Sequence, residues 1–238
     1  METNKITFSS KKLGRITGVF YLLIILSGLF GGMAVRGTIV VPNDPSTTLQ
    51  NLISNESLFR IGFISDLIMV LSDVMVSVLF YYLLKQTNKV VAVFAAVFRL
   101  IQSAVLAGNL INLFSPILMI KGHETMDQTQ INQLGANVLQ KLEVFEYGYL
   151  ISGVFFAFNC LLMGYLLYKS ELIPNLLGIM IAVASLGYLF NCLTSFLAPS
   201  LIEVSQLFMF FTAVIAELTL CIWLIIKGTK ISAFLEIG

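Results

Sequence analysis

Asp73, Arg99 and Glu217 stand inside runs that are otherwise apolar, and Asp66 lies seven residues before Asp73. Residues of these types suit ion pairing, proton carriage or recognition of a small polar ligand. A guanidinium stays ionised at any physiological pH. At the centre of a membrane helix it costs roughly 2.5–3.5 kcal/mol on insertion scales. Arg99 therefore needs partners or water. Gln102 and Asn109 lie on its side of a helix, about 60° and 80° around the axis. The remaining chemistry is thin. His123 is the single histidine, so bis-histidine haem and multi-histidine zinc sites are out of reach of one chain. His123, Glu124 and Asp127 cluster in a loop with no second His or Cys near, which reads as solvated polar chain. Asp66 and Asp73 would sit about 10 Å apart along a helix, too far to share a proton as an aspartyl dyad does. There is no HExxH. No catalytic residue, metal ligand or cofactor site is expected, and the chain reads as a non-enzyme.

The elements that must hold these residues follow from composition. Of 238 residues, 58% are hydrophobic and 11% charged. A soluble domain carries about 25% charged residues. This composition belongs to a membrane protein, with the lipid bilayer as its first partner. The net charge of +1 gives no reason to expect a nucleic acid. Cys160, Cys192 and Cys221 fall in apolar segments without CxxC spacing and read as small buried apolar residues.

The apolar runs predict an all-α polytopic membrane protein: six transmembrane helices in one bundle, forming a single domain over 1–238. The spans cover about 16–35, 61–84, 90–120, 147–168, 174–197 and 205–226. The first run is long for a signal peptide, so a retained helix is expected. Pro42, Asn43, Asp44 and Pro45 break the chain after it, and Ser46 is placed to cap a short helix. Leu49, Leu52 and Ile53 give that helix an apolar side, which predicts an interfacial position. Ile131, Leu134, Val138, Leu142 and Phe145 recur at helical spacing, which predicts an amphipathic surface helix over 128–142, separate from the fourth span. Pro116 would kink or end the third span, and Pro174 would open the fifth from its first turn.

Lys and Arg set the orientation. Six spans place Lys5, Lys11, Lys12, Arg15, Lys85, Lys89, Lys169, Lys227 and Lys230 on one side. Arg36, Arg60, Lys121 and Lys141 fall on the other. The bias predicts cytoplasmic termini and extracytoplasmic long loops. Arg99 and Glu217 then lie about 15 Å from the cytoplasmic edge and Asp73 about 18 Å, with Asp66 some 10 Å further out. The expectation is a buried polar layer in which Arg99 meets Asp73 or Glu217, extended outward by Gln102, Asn109 and Asp66.

Two readings of that layer stand side by side. It can be a structural tie, since a buried ion pair fixes helix register even when it adds little stability. It can instead line a route or pocket for a proton, an ion or a small polar ligand. Three carboxylates against one guanidinium leave acid to spare for proton carriage. The first reading suits a non-catalytic partner or sensor beside another membrane protein. The second suits a transporter or ligand-binding protein.

The segments FRLIQS (98–103), GYLLYKSELIPNLLG (164–178) and AELTLCIWLIIKG (216–228) resemble a bacterial membrane family, domain-of-unknown-function family 4386. LFRIGFISDL (58–67) and LGRITGVFYLL (13–23) resemble it too. Arg15, Arg60, Asp66, Arg99, Ser170, Pro174, Glu217 and Trp223 match its pattern. The resemblance implies a multi-pass protein of a bacterial cell membrane. It carries no activity.

Overall fold

The computed structural model describes residues 6–230 and 234–237. Lys5, one of the nine basic residues used for orientation, lies outside them. The fold is all-α. The first helix, α1 (Ser10–Leu29), continues through a π-helical stretch, Phe30–Arg36, into α2 (Gly37–Ile39). Then follow α3 (Pro45–Ser54), α4 (Glu56–Leu84), α5 (Lys89–Met119), α6 (Gln128–Lys169), α7 (Asn175–Leu197) and α8 (Ile202–Lys227). Near the ends of the chain, β1 (Ile6–Ser9) and β2 (Phe234–Ile237) pair antiparallel with Ile6 opposite Ile237. Among the described residues, six helical segments are long and apolar enough to cross a bilayer.

The chain falls into two compact units. Unit 1 comprises Met1–Leu22, Ser72–Ser103 and Leu150–Gly238. Unit 2 comprises Leu23–Leu71 and Ala104–Tyr149. In unit 1, α7 and α8 pack along their length and share a buried polar contact, Thr194 Oγ1 donating to Ser205 Oγ at 2.7 Å. Unit 2 gathers the polar loop helices on an apolar core that includes Leu52, Phe59, Ile117, Val138 and Phe145.

Several elements differ from what the sequence suggests. The fourth span and the polar segment before it form one helix of 42 residues. At about 1.5 Å per residue it is some 63 Å long, twice a hydrocarbon core of about 30 Å. The change at 143–146 is one of polarity, and nothing there breaks a helix. The apolar stripe of α6 does not lie on lipid. Leu134, Val138, Leu142 and Phe145 are buried in the core of unit 2, as are Leu49 and Leu52 of α3. Asp44, not Ser46, caps α3. Its carboxylate accepts from the Thr47 amide at 3.0 Å and the Thr47 hydroxyl at 2.6 Å, with Pro45 in the first turn. Pro116 sits inside α5 close enough to its end that the helix runs on to Met119. Pro174 precedes α7 as its cap residue instead of entering its first turn.

Candidate functional site

Arg99 is buried in unit 1 together with Asp73, each 3% exposed. The Arg99 Nε donates to Asp73 Oδ1 at 2.8 Å, and Nη2 adds a charge contact to the same oxygen at 2.5 Å. Ser103, one turn on from Arg99, donates to Asp73 Oδ2 at 2.8 Å. Asn159 of α6 accepts from Arg99 Nη1 at 3.5 Å and donates to the Ala95 carbonyl at 2.8 Å. The guanidinium carbon lies 5.5 Å from the Tyr21 ring centre and 5.2 Å from that of Phe156, so two aromatic faces add cation–π attraction. Charge, hydrogen bonds and π-faces thus replace the water that Arg99 gives up. The space beside it is about 10 Å³, room for one water at most.

Of the two carboxylates expected at Arg99, Asp73 is the one that binds it. Glu217 makes no direct contact with the guanidinium: it accepts from the Tyr188 hydroxyl, whose ring packs edge-on against Phe156 with centroids 5.0 Å apart, and from Tyr21, the same residue whose ring covers Arg99, so it stays within electrostatic reach of Arg99. Gln102 is buried, and its Oε1 has no hydrogen-bond partner among the described residues.

The outward extension of the layer is corrected. Asp66 belongs to a second pair, inside unit 2. Arg36 Nη1 donates to Asp66 Oδ2, and Nη2 reaches Oδ1 at 3.5 Å. Asn109 donates to the Phe145 carbonyl at 2.7 Å and accepts from Asn112 at 3.0 Å, so it serves helix packing within unit 2. Arg36 reaches Asp66 because the helix does not stop at Val35. The π-helical turn carries Arg36 on, and stretches of this kind are frequent at functional sites. Gly31 permits the approach, since a Cβ there would come within 2.8 Å of Asp66 Oδ1.

The Arg36–Asp66 pair stands beside open space. A cavity of about 530 Å³ is lined by Gly28, Gly32, Arg36 and Val40 on one wall and by Leu139, Leu142, Glu143, Glu146 and Tyr149 on the other. Gly37, Pro42 and Asn43 complete it. Small-molecule sites run to about 300–1,000 Å³. The α6 wall is a single stripe at helical spacing. Gly32 leaves the opposite wall bare: a Cβ there would meet nothing nearer than Arg36 Nη2 at 3.5 Å. Glu146 approaches Arg36 Nε at 3.8 Å with its side chain 64% exposed, whereas that of Asp66 is 1% exposed. The Arg36 guanidinium carbon also lies 5.0 Å from the Phe145 ring centre. Asn43 adopts a left-handed backbone with φ 60, which asparagine tolerates better than most residues.

Little in the sequence marks this second site. Arg36 ends an apolar run and reads as a loop charge. Glu143 and Glu146 fall just beyond the surface helix that the sequence predicts over 128–142. The density of glycine at 28, 31, 32 and 37 was the available signal, but it also suits plain helix packing.

All-α architecture, six spanning helices and charges held within apolar segments define a multi-pass membrane protein. The chain belongs to the family described as Domain of unknown function (DUF4386), whose model matches residues 16–228. It is similar to an uncharacterized protein of Archaeoglobus fulgidus, 28% identical over 165 residues, covering 69% of this chain and 82% of the relative. No solved structure matches the chain.

Proposed function

We propose that this protein binds a small ligand in the unit 2 cavity and that it does not conduct ions or solutes. The observation that carries the reading is the cavity itself: about 530 Å³ walled by Arg36, Glu143 and Glu146 among apolar side chains. The Arg99–Asp73 pair supports the second half of the reading. Its polar atoms are directed at each other and at Ser103 and Asn159, beside only about 10 Å³ of space. Arg99 and Asp73 are then a structural tie between α4 and α5. A sensor or partner role would use the same cavity as its input.

The proposed location is the cell membrane, bacterial as the family resemblance implies, with both termini cytoplasmic. The bias of nine basic residues against four supports that orientation. The two long loops, over 37–60 and 121–145, would then be extracytoplasmic. Cysteines placed at 44 and 129 on a thiol-free background test it, and labelling only from the cytoplasm inverts it.

Affinity selection tests the binding role. Purified protein is mixed with a pool of small metabolites, and retained compounds are identified by mass spectrometry. Compounds held by the native protein should be weakened or lost in Gly32→Leu, which projects an isobutyl group into the cavity beside Arg36. Equal retention by both proteins removes the cavity as the site. Proteoliposomes test the second half: proton flux should equal that of empty vesicles, and flux abolished by Glu217→Gln would restore a transport reading.

A further inference from the structure

We infer that the ligand of the unit 2 cavity is an organic cation, an ammonium or guanidinium head on an apolar body, with Glu143 and Glu146 receiving the head. The inference rests on the binding role proposed above and specifies its chemistry.

The charge around the cavity is lopsided. Among the described residues, Arg36 is the one cation on its wall, and it is already engaged. Asp66 takes two of its nitrogens, Glu146 lies 3.8 Å from the third, and the Phe145 ring covers a face. One guanidinium against Asp66, Glu143 and Glu146 leaves the site two charges negative. An anionic ligand would compete with Asp66 for Arg36 and meet two carboxylates besides. A cation meets two acceptors three residues apart on one face of α6, close enough to share one head group. Hydrogen bonds between ionised partners are short and about twice as strong as neutral ones.

The remaining wall gives the rest of the ligand. Val40, Pro42, Leu139 and Leu142 present carbon to the space, which suits a hydrocarbon body and would be wasted on a bare ion. Among the described residues no three His, Cys, Asp or Glu side chains gather as a metal site. The volume, about 530 Å³, holds an aryl- or alkylamine with room for its body.

The test uses the full chain in maltoside micelles and three probes of matched size: phenylethylammonium, 3-phenylpropionate and 2-phenylethanol. Calorimetric titration should find the cation bound about tenfold or more tightly than either other probe. Replacing both acids, Glu143→Gln with Glu146→Gln, should weaken the cation about tenfold or more and leave the alcohol unchanged. Gly32→Leu should weaken all three probes. Both acids are exposed, so the double variant should keep its fold, and its unfolding temperature verifies this. If phenylpropionate binds as tightly as the cation, or the double variant binds the cation like the native protein, the inference is overturned. Loss on Gly32→Leu alone would in that case leave the cavity reading standing. Probe binding indifferent to Gly32→Leu, or no binding of any probe at about millimolar concentration, overturns both. Repeating the titration with phosphatidylethanolamine in the micelle identifies the source of the head group. Competition assigns it to a lipid ammonium, and its absence to a soluble amine.

Discussion

Each unit holds an arginine–aspartate pair, and the two pairs differ in what surrounds them. Arg99 and Asp73 are enclosed by Ser103, Asn159 and two aromatic rings, with space for one water at most. Arg36, paired with the buried Asp66 behind it, stands on the wall of a cavity about fifty times larger by volume, about 530 against about 10 Å³. The chemistry of the ion pair is the same. Its setting decides whether it can only join helices or can also meet a ligand. A charge inside an apolar segment is therefore not by itself a functional site. The space beside it has to be part of the argument.

The contrast is easiest to break by removing one arginine at a time. Arg99→Leu leaves Asp73 buried without its cation and should cost about 3–5 kcal/mol of stability. Adding Asp73→Leu should restore much of that loss, since an apolar pair leaves no stranded charge. Denaturation of the purified protein in micelles measures both, and simple additivity would show that the residues are uncoupled. Arg36→Leu should cost less, about 1–3 kcal/mol, because cavity water can reach the abandoned Asp66. Equal losses from the two arginine variants would erase the distinction between the sites.

Adjacent glycines sharpen it. Gly31→Ala puts a methyl 2.8 Å from Asp66 Oδ1 and should destabilise by about 1–3 kcal/mol. Gly32→Ala puts one at ordinary contact distance, 3.5 Å from Arg36 Nη2, and should stabilise by up to about 1 kcal/mol, as alanine does in a helix. The same sign for both would mean that the backbone there differs from this arrangement. The smallest effect is expected at Asp44. The Thr47 hydroxyl and amide hold its carboxyl below the ordinary aspartate value. The folded value is depressed, so the cap's contribution is present above the unfolded value and lost as pH falls through the folded one. A melting-temperature profile should thus show a slight drop below about pH 4 that Asp44→Ala lacks.

The first pair was legible in the sequence and the second was not. Arg99 lies ten residues beyond Lys89 in an apolar run, so depth alone demanded a partner and placed Asp73 within reach. Depth did not distinguish Asp73 from Glu217, because rise per residue says nothing of the direction a side chain takes. Arg36 sits at the end of its run, where charges are ordinary, and the π-helical turn that redirects it leaves no periodic trace. The six spans were legible because lipid demands long apolar segments. The unbroken α6 was not, since a change from polar to apolar sequence looks alike whether the helix ends there or continues. Nor did the stripes of α3 and α6 declare what they cover, because an apolar face suits lipid and protein equally.

The most direct test of the contrast is chemical access. Single cysteines are introduced as Gly32→Cys and Ser103→Cys after Cys160, Cys192 and Cys221 are replaced by alanine. The rate of reaction with a charged, water-borne methanethiosulfonate reagent is then measured in lipid nanodiscs. Gly32→Cys should react readily and be protected by phenylethylammonium, while Ser103→Cys should stay unmodified. Ser103→Cys reacting as fast as Gly32→Cys, or Gly32→Cys failing to react, would contradict the division into one enclosed pair and one ligand-facing pair.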